Sequence, residues 1–162
     1  MSVTDTDRLL FKVEDMVATI TLNFPEKLNA FNQEMLHAWA ARLAECRDRD
    51  DVRVIVVTGA GRGFCSGGDT GGMGSSDKTS PRQAKDNLQQ NIHPIALTLE
   101  TIDKPVICAL NGVAAGAGLD MALHCDIRYA AASARFAETY TPVGLVPGNG
   151  AAWFLPRIVG VQ

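Results

Sequence analysis

VRVIVVTGAGRGFCSGGD, residues 52–69, passes directly from a nearly continuous apolar run into backbone almost stripped of side chains. Val52 to Thr58 is the kind of run found in a central parallel strand covered on both faces. The stretch that follows, Gly59 to Ser80, is too rich in Gly and Ser for a stable helix or an uninterrupted strand. It reads as a long loop of the length that is usually functional. The same succession recurs downstream. Pro105 to Leu110 reads as a second buried strand, then come Asn111-Gly112 and the small-residue segment VAAGAG (113–118). A helix follows that segment, and Asp126 to Ala130 forms a further strand.

Upstream, Leu9–Glu14 and Met16–Asn23 are short runs of apolar and β-branched residues separated by acidic Glu14-Asp15, a hairpin pattern. From Asn32 the period changes. Met35, Trp39, Leu43 and Cys46 recur at helical spacing, Asn32 serves as the cap, and Arg47 to Asp51 ends the helix. Pro81 to Thr101 reads as a helix with Leu88, Ile92, Ala96 and Leu99 on one face, kinked or divided by Pro94. Gly148 to Val159 holds a last, short helix. Strands alternating with helices predict an α/β fold with at least one parallel sheet, in one domain over residues 1–162.

Composition narrows the function. The 162 residues are 46% hydrophobic and 20% charged, with a net charge of -3 and no long Lys/Arg run, which argues against a nucleic-acid partner. Met1 to Arg8 is polar and acidic, so no secretory signal is read, and no apolar run reaches the roughly 18 residues of a membrane span. Cys46, Cys65, Cys108 and Cys125 lie far apart, as expected of reduced thiols in a cytoplasmic protein. His37, His93 and His124 lack metal spacing. LPRIVG (155–160) carries no stop signal before Gln162, so a truncated chain is expected.

The chemistry lies in the two glycine turns. Naked backbone exposes N–H groups. In GFCSGGD (63–69) the N–H of Gly68 is placed to point into a cleft. In AAGAGLD (114–120) the N–H of Ala117 stands where a helix begins and adds the positive end of its dipole. Two such donors make an oxyanion hole, and each is worth about 3 kcal/mol of transition-state stabilisation. Composition alone equally allows two tight connections with no chemistry.

FPEKLNAFN (24–32), GRGFCSGGD (61–69), KPVICALNGVAAGAGLDMALHCDIRYAAASARF (104–136) and GLVPGNGAAWFLPRIVG (144–160) resemble, in order, the successive motifs of the crotonase superfamily of enoyl-CoA hydratases and isomerases. The resemblance implies a spiral of repeated ββα units that binds an acyl-CoA thioester. It implies no cofactor beyond the coenzyme A of the substrate. The thioester oxygen would be held by the N–H groups of Gly68 and Ala117, the latter following Gly116. Lys27, Leu28 and Ala30, with Cys65, Ser66, Gly67 and Asp69, would embrace the pantetheine and adenine. Lys27 would meet a phosphate or remain a solvated surface lysine. C-terminal helices beyond Gln162 would assemble trimers or hexamers.

The acids depart from the family pattern. Hydratases of this family use two Glu residues near the β-carbon; here Asp120 matches the first and Tyr140 the second. Asp120 is equally readable as an acid that stabilises a helix N-terminus, and Tyr140 as packing. Glu138, two residues before Tyr140, faces the same way in extended chain, or is a plain surface acid. Isomerases and a dehalogenase of the superfamily place an Asp where this chain has Gly148, followed by Asn149. Enoyl-CoA hydration, with Asp120 as principal acid-base group and Tyr140 orienting water or substrate, is the leading expectation; double-bond isomerisation, motivated by the missing second Glu, is the next, and a non-catalytic acyl-CoA binder the third. Two other classes match fragments only. Gly63-Phe64-Cys65-Ser66-Gly67 fits a cysteine nucleophile elbow that lacks its helix and its late His. Gly59-Ala60-Gly61 is an incomplete dinucleotide fingerprint.

Overall fold

A computed structural model describes residues 7–69 and 80–161. Alternating apolar residues produce the hairpin that opens it: β1 (Leu9–Glu14) pairs antiparallel with β2 (Val17–Leu22), and Ala18, Ile20 and Leu22 turn inward. Asp15 and Met16 make the two-residue turn with both φ values positive, at 49° and 63°. That is the twist a tight hairpin requires. Helix α1 (Gln33–Asp48) then starts where expected, with the Asn32 side chain accepting the Met35 N–H. Its buried stripe, Met35, Trp39, Leu43 and Cys46, packs against the hairpin.

Each later segment of chain repeats one plan. A strand joins the first sheet, a shorter strand joins a second sheet, and a helix returns. Strands β3 (Val54–Gly59), β5 (Val106–Leu110) and β7 (Ile127–Ala130) extend the hairpin into a five-stranded sheet of order β1-β2-β3-β5-β7, parallel from β2 onward. Strands β4 (Gly63–Cys65), β6 (Val113–Ala115) and β8 (Phe136–Ala137) form a parallel three-stranded sheet. Helices α2 (Pro81–Asn87) and α3 (His93–Leu99), then α4 (Ala117–Leu123), then α5 (Ala151–Val159) follow the successive strand pairs. The spiral of ββα units is thus written into the strand order. Among the described residues no helix is long and apolar enough to cross a membrane.

Three expectations need correction. The predicted loop 59–80 contains β4, which is only three residues long and survives because β6 beside it in the second sheet supplies its ladder partner; residues 70–79 of that loop lie outside the described residues. VAAGAG likewise begins with strand β6. Strand β3 is not covered equally on both faces: Ile55 and Val57 are buried, whereas Val54, Val56 and Thr58 are half-buried. The apolar run records which side chains the strand carries, not how much protein lies over each face. The divided helix is as read, with a wide turn at Leu88–Ile92 immediately before Pro94.

The two sheets and α4 meet at a close backbone contact. A Cβ on Gly118 would stand 2.4 Å from the Cys65 carbonyl oxygen, so only glycine lets α4 lie against β4. Gly118→Ala in the full-length protein is expected to destabilise it by about 3 kcal/mol, the upper range for overpacking. Urea denaturation checks this, and an unchanged midpoint contradicts the contact.

Candidate active site

The loop after β4 is held from the other side by the segment Phe24–Phe31. Asn29 is fully buried, and its carboxamide forms a four-way junction. Oδ1 accepts the Phe24 N–H at 2.8 Å, while Nδ2 donates to the carbonyls of Ala60, Gly63 and Phe64 at 2.9, 2.8 and 3.1 Å. Leu28 and Asn29 are both left-handed, with φ of 52° and 55°, which folds the segment back on itself. The Ser66 N–H donates to the Leu28 carbonyl, the Ser66 hydroxyl to the Lys27 carbonyl, and the Phe31 N–H to the Gly67 carbonyl. Ala30 is buried within this lacing. The sequence reading singled out the neighbours of Asn29 and missed Asn29 itself; an Asn inside a short turn flanked by apolar residues was the available signal.

Lys27 is paired across the junction. Its Nζ lies 2.7 Å from Asp69 Oδ2, both side chains being partly exposed. A cleft of about 490 Å³ opens beside this pair, with Phe31 and Gly68 on one wall and Asn87, Asn91 and Ile92 on the other. Its size suits a small-molecule ligand. Gly68 lines this cleft; Ala117 and Asp120 do not.

Cys65 is no nucleophile. It is fully buried, its Sγ donates to the Asn29 carbonyl, and burial pushes its thiol up to about 12, so no thiolate forms near neutrality. The chain after it continues through Ser66 and Gly67 without entering a helix.

The two predicted donors lie on adjoining turns. Gly67, at φ +94°, is left-handed, and a Cβ there would stand 3.5 Å from the Ala117 nitrogen. Gly116 sits at the cap of α4 and passes the chain into Ala117, the first helical residue, whose N–H has no intrahelical partner. The Gly68 N–H is also outside the ladder: its neighbours make the bonds to Phe31, through the Gly67 carbonyl and the Asp69 N–H. Both donors belong to half-buried residues.

Asp120 lies one helical turn into α4 and is fully buried. The Tyr140 hydroxyl donates to its Oδ2 at 2.5 Å, while Oδ1 has no donor. Burial raises the Asp120 carboxyl above the ordinary range, against the opposing pull of the Tyr140 bond. Burial and the neighbouring Asp120 raise the Tyr140 phenol as well. The fold thus brings Asp120 and Tyr140 into direct contact. Glu138 corrects the plain surface acid reading: both its oxygens are buried, and burial and Asp120 push its carboxyl up to about 7. Gly148 supplies only its carbonyl, which accepts from His93 Nε2 at 2.9 Å, and Asn149 is buried with its Nδ2 against the Met121 sulfur. Among the described residues no cluster of three His, Cys, Asp or Glu side chains has the arrangement of a metal site.

The comparisons agree with this architecture. The family profile described as Enoyl-CoA hydratase/isomerase matches residues 12–162. A 1,2-epoxyphenylacetyl-CoA isomerase of Escherichia coli (strain K12) is 46% identical over 159 residues, covering 94% of this chain and 58% of the relative. A short-chain-enoyl-CoA hydratase of Clostridium acetobutylicum is 34% identical over 156 residues, covering 96% and 58%. The crystal structure of an enoyl-CoA hydratase from Thermoplasma volcanium GSS1 aligns with a TM-score of 0.84 at 33% identity, over 96% of this chain and 60% of that one. This chain belongs to the enoyl-CoA hydratase/isomerase family and has the crotonase fold. It spans under two-thirds of the length of these relatives.

Replacing Asn29 by Ala removes the side-chain partner of three carbonyls and one N–H at the junction, of which the Gly63 carbonyl alone keeps a second side-chain donor, Asn111 Nδ2. A loss of about 2–4 kcal/mol is expected in full-length protein, read by thermal or urea unfolding. Stability within about 0.5 kcal/mol of the parent would contradict the junction's role.

Proposed function

We propose that the full-length protein is an enoyl-CoA hydratase in which the N–H groups of Gly68 and Ala117 hold the oxygen of an acyl-thioester enolate. The supporting observation is a pair of N–H groups, neither of them bonded to another backbone group among the described residues, on turns that abut, with a buried carboxyl one helical turn beyond the second. Two fixed donors polarise the thioester carbonyl as charge grows on its oxygen, and this chemistry needs no cofactor beyond the coenzyme A carried by the substrate. Asp120 is the acid-base group and Tyr140 orients it. The lacing of Lys27, Leu28 and Ala30 to Ser66, Gly67 and Asp69 provides the surface against which the pantetheine runs.

Double-bond isomerisation is the second reading, favoured by Tyr140 standing where hydratases of the family carry a second Glu. In it the same carboxyl carries a proton between the α and γ carbons. Assembly of the whole protein into trimers or hexamers, through helices beyond Gln162, belongs to either reading.

Incubation of the full-length enzyme with 2-enoyl-CoA and 3-enoyl-CoA in heavy-oxygen water separates the two reactions. Label in the product is expected; rearrangement without label supports isomerisation instead. Asp120→Asn is expected to lower kcat by about 10²–10⁴. Tight binding of both esters with no turnover by the parent enzyme would replace the enzyme reading with that of a binder.

A further inference from the structure

Glu138 and Asp120 leave three carboxyl oxygens buried with no N–H or O–H donor: both of Glu138 and Oδ1 of Asp120. Each carboxyl also shifts the ionisation of the other, so the two are near neighbours, grouped with the Tyr140 hydroxyl. Two carboxylates in contact and shielded from water do not both ionise, because each charge opposes the other and burial opposes both. One proton between them resolves this. A protonated carboxyl becomes a donor, and the orphaned oxygen of its neighbour becomes its acceptor. Tyr140 decides which group carries the charge, since its hydroxyl already donates to Asp120 Oδ2 and so favours the anion there.

The placement of the pair is fixed by the fold. The Gly116 N–H donates to the Ala137 carbonyl at 2.9 Å, which ties the end of β8 to the turn presenting Ala117. Glu138 follows Ala137 directly, and Tyr140 is two residues on. The other ionisable group facing the pair is His124 at the C-terminus of α4, whose Nε2 bonds the Asn149 carbonyl at 2.9 Å. On α5, Arg157 is stacked on Trp153.

We propose that Glu138 is the proton partner of Asp120: the two share one proton, and Glu138, a positioning residue acting through Asp120, carries that proton and so keeps Asp120 anionic at the start of each turnover. This deepens the functional reading above and rests on it. In hydration an O–H bond of water breaks as its oxygen bonds to the β-carbon, and the proton goes to Asp120. The double-bond electrons move to the thioester oxygen as an enolate. The pair, now holding two protons, delivers one to the α-carbon and returns to one proton. Nothing else is consumed.

Two measurements on the full-length enzyme test this. Difference infrared spectroscopy over a pH titration is expected to show a protonated carboxyl band that disappears with a midpoint near 7 in the parent and that is absent or displaced in both Glu138→Gln and Asp120→Asn. In kcat/KM for a 2-enoyl-CoA, the parent is expected to lose activity on the alkaline side of that ionisation. Glu138→Gln is expected to lose that limb and to fall roughly a hundredfold in kcat, with KM little changed. Absence of the neutral-pH band from the parent overturns the shared proton even if the variants fail to fold. An unchanged alkaline limb in Glu138→Gln overturns the role of Glu138 alone. A pair that titrates as expected in an enzyme inactive on both enoyl-CoAs upholds the shared proton and overturns the proposed function.

Discussion

The structure turns on the approach of two pieces of backbone, the Cys65 carbonyl on β4 and Gly118 on α4. Neither strand β4 nor helix α4 is long enough to be stable by itself: one has three residues and the other seven. They are held by what they touch. Omitting the Cβ at Gly118 allows contact at 2.4 Å from where that atom would stand, and this brings the Gly67 turn against the Ala117 nitrogen. The small sheet, the first turn of α4 and the position of Asp120 all follow from that approach. A larger residue at the junction separates the donors as it separates the elements.

A second constraint comes from Asn29. A short loop cannot bury its own carbonyls, because they lack ladder partners. Here one carboxamide satisfies the Ala60, Gly63 and Phe64 carbonyls and the Phe24 N–H, so the chain that enters and forms β4 stays fixed against the Phe24–Phe31 segment. The ion pair of Lys27 with Asp69 crosses the same junction, but its partial exposure makes it worth little to stability. The neutral, buried amide does more structural work than the charged pair.

The acids show how environment assigns roles that residue type leaves open. Asp120 combines a helix-terminal position with full burial and one strong donor, Tyr140. Glu138 has burial without any donor from an N–H or O–H. Carboxyls that are ordinary in water become unequal once the protein removes the solvent and supplies a hydroxyl to only one of them.

The sequence by itself determined the elements with a clear apolar signal: the hairpin, the amphipathic helix from Asn32 that ends within Arg47 to Asp51, the large-sheet strands read as Val52 to Thr58, Pro105 to Leu110 and Asp126 to Ala130, and the division at Pro94. Its motifs also placed the two glycine turns and the residues Asp120 and Tyr140. Strands β4, β6 and β8 were not legible, because two or three small residues carry no period and become strands only when neighbours hydrogen-bond to them. The coverage of β3, the junction made by Asn29 and the burial of Glu138 were likewise decided only in three dimensions. Each depends on which distant segment lies against the residue, and a linear pattern of side chains does not encode that contact.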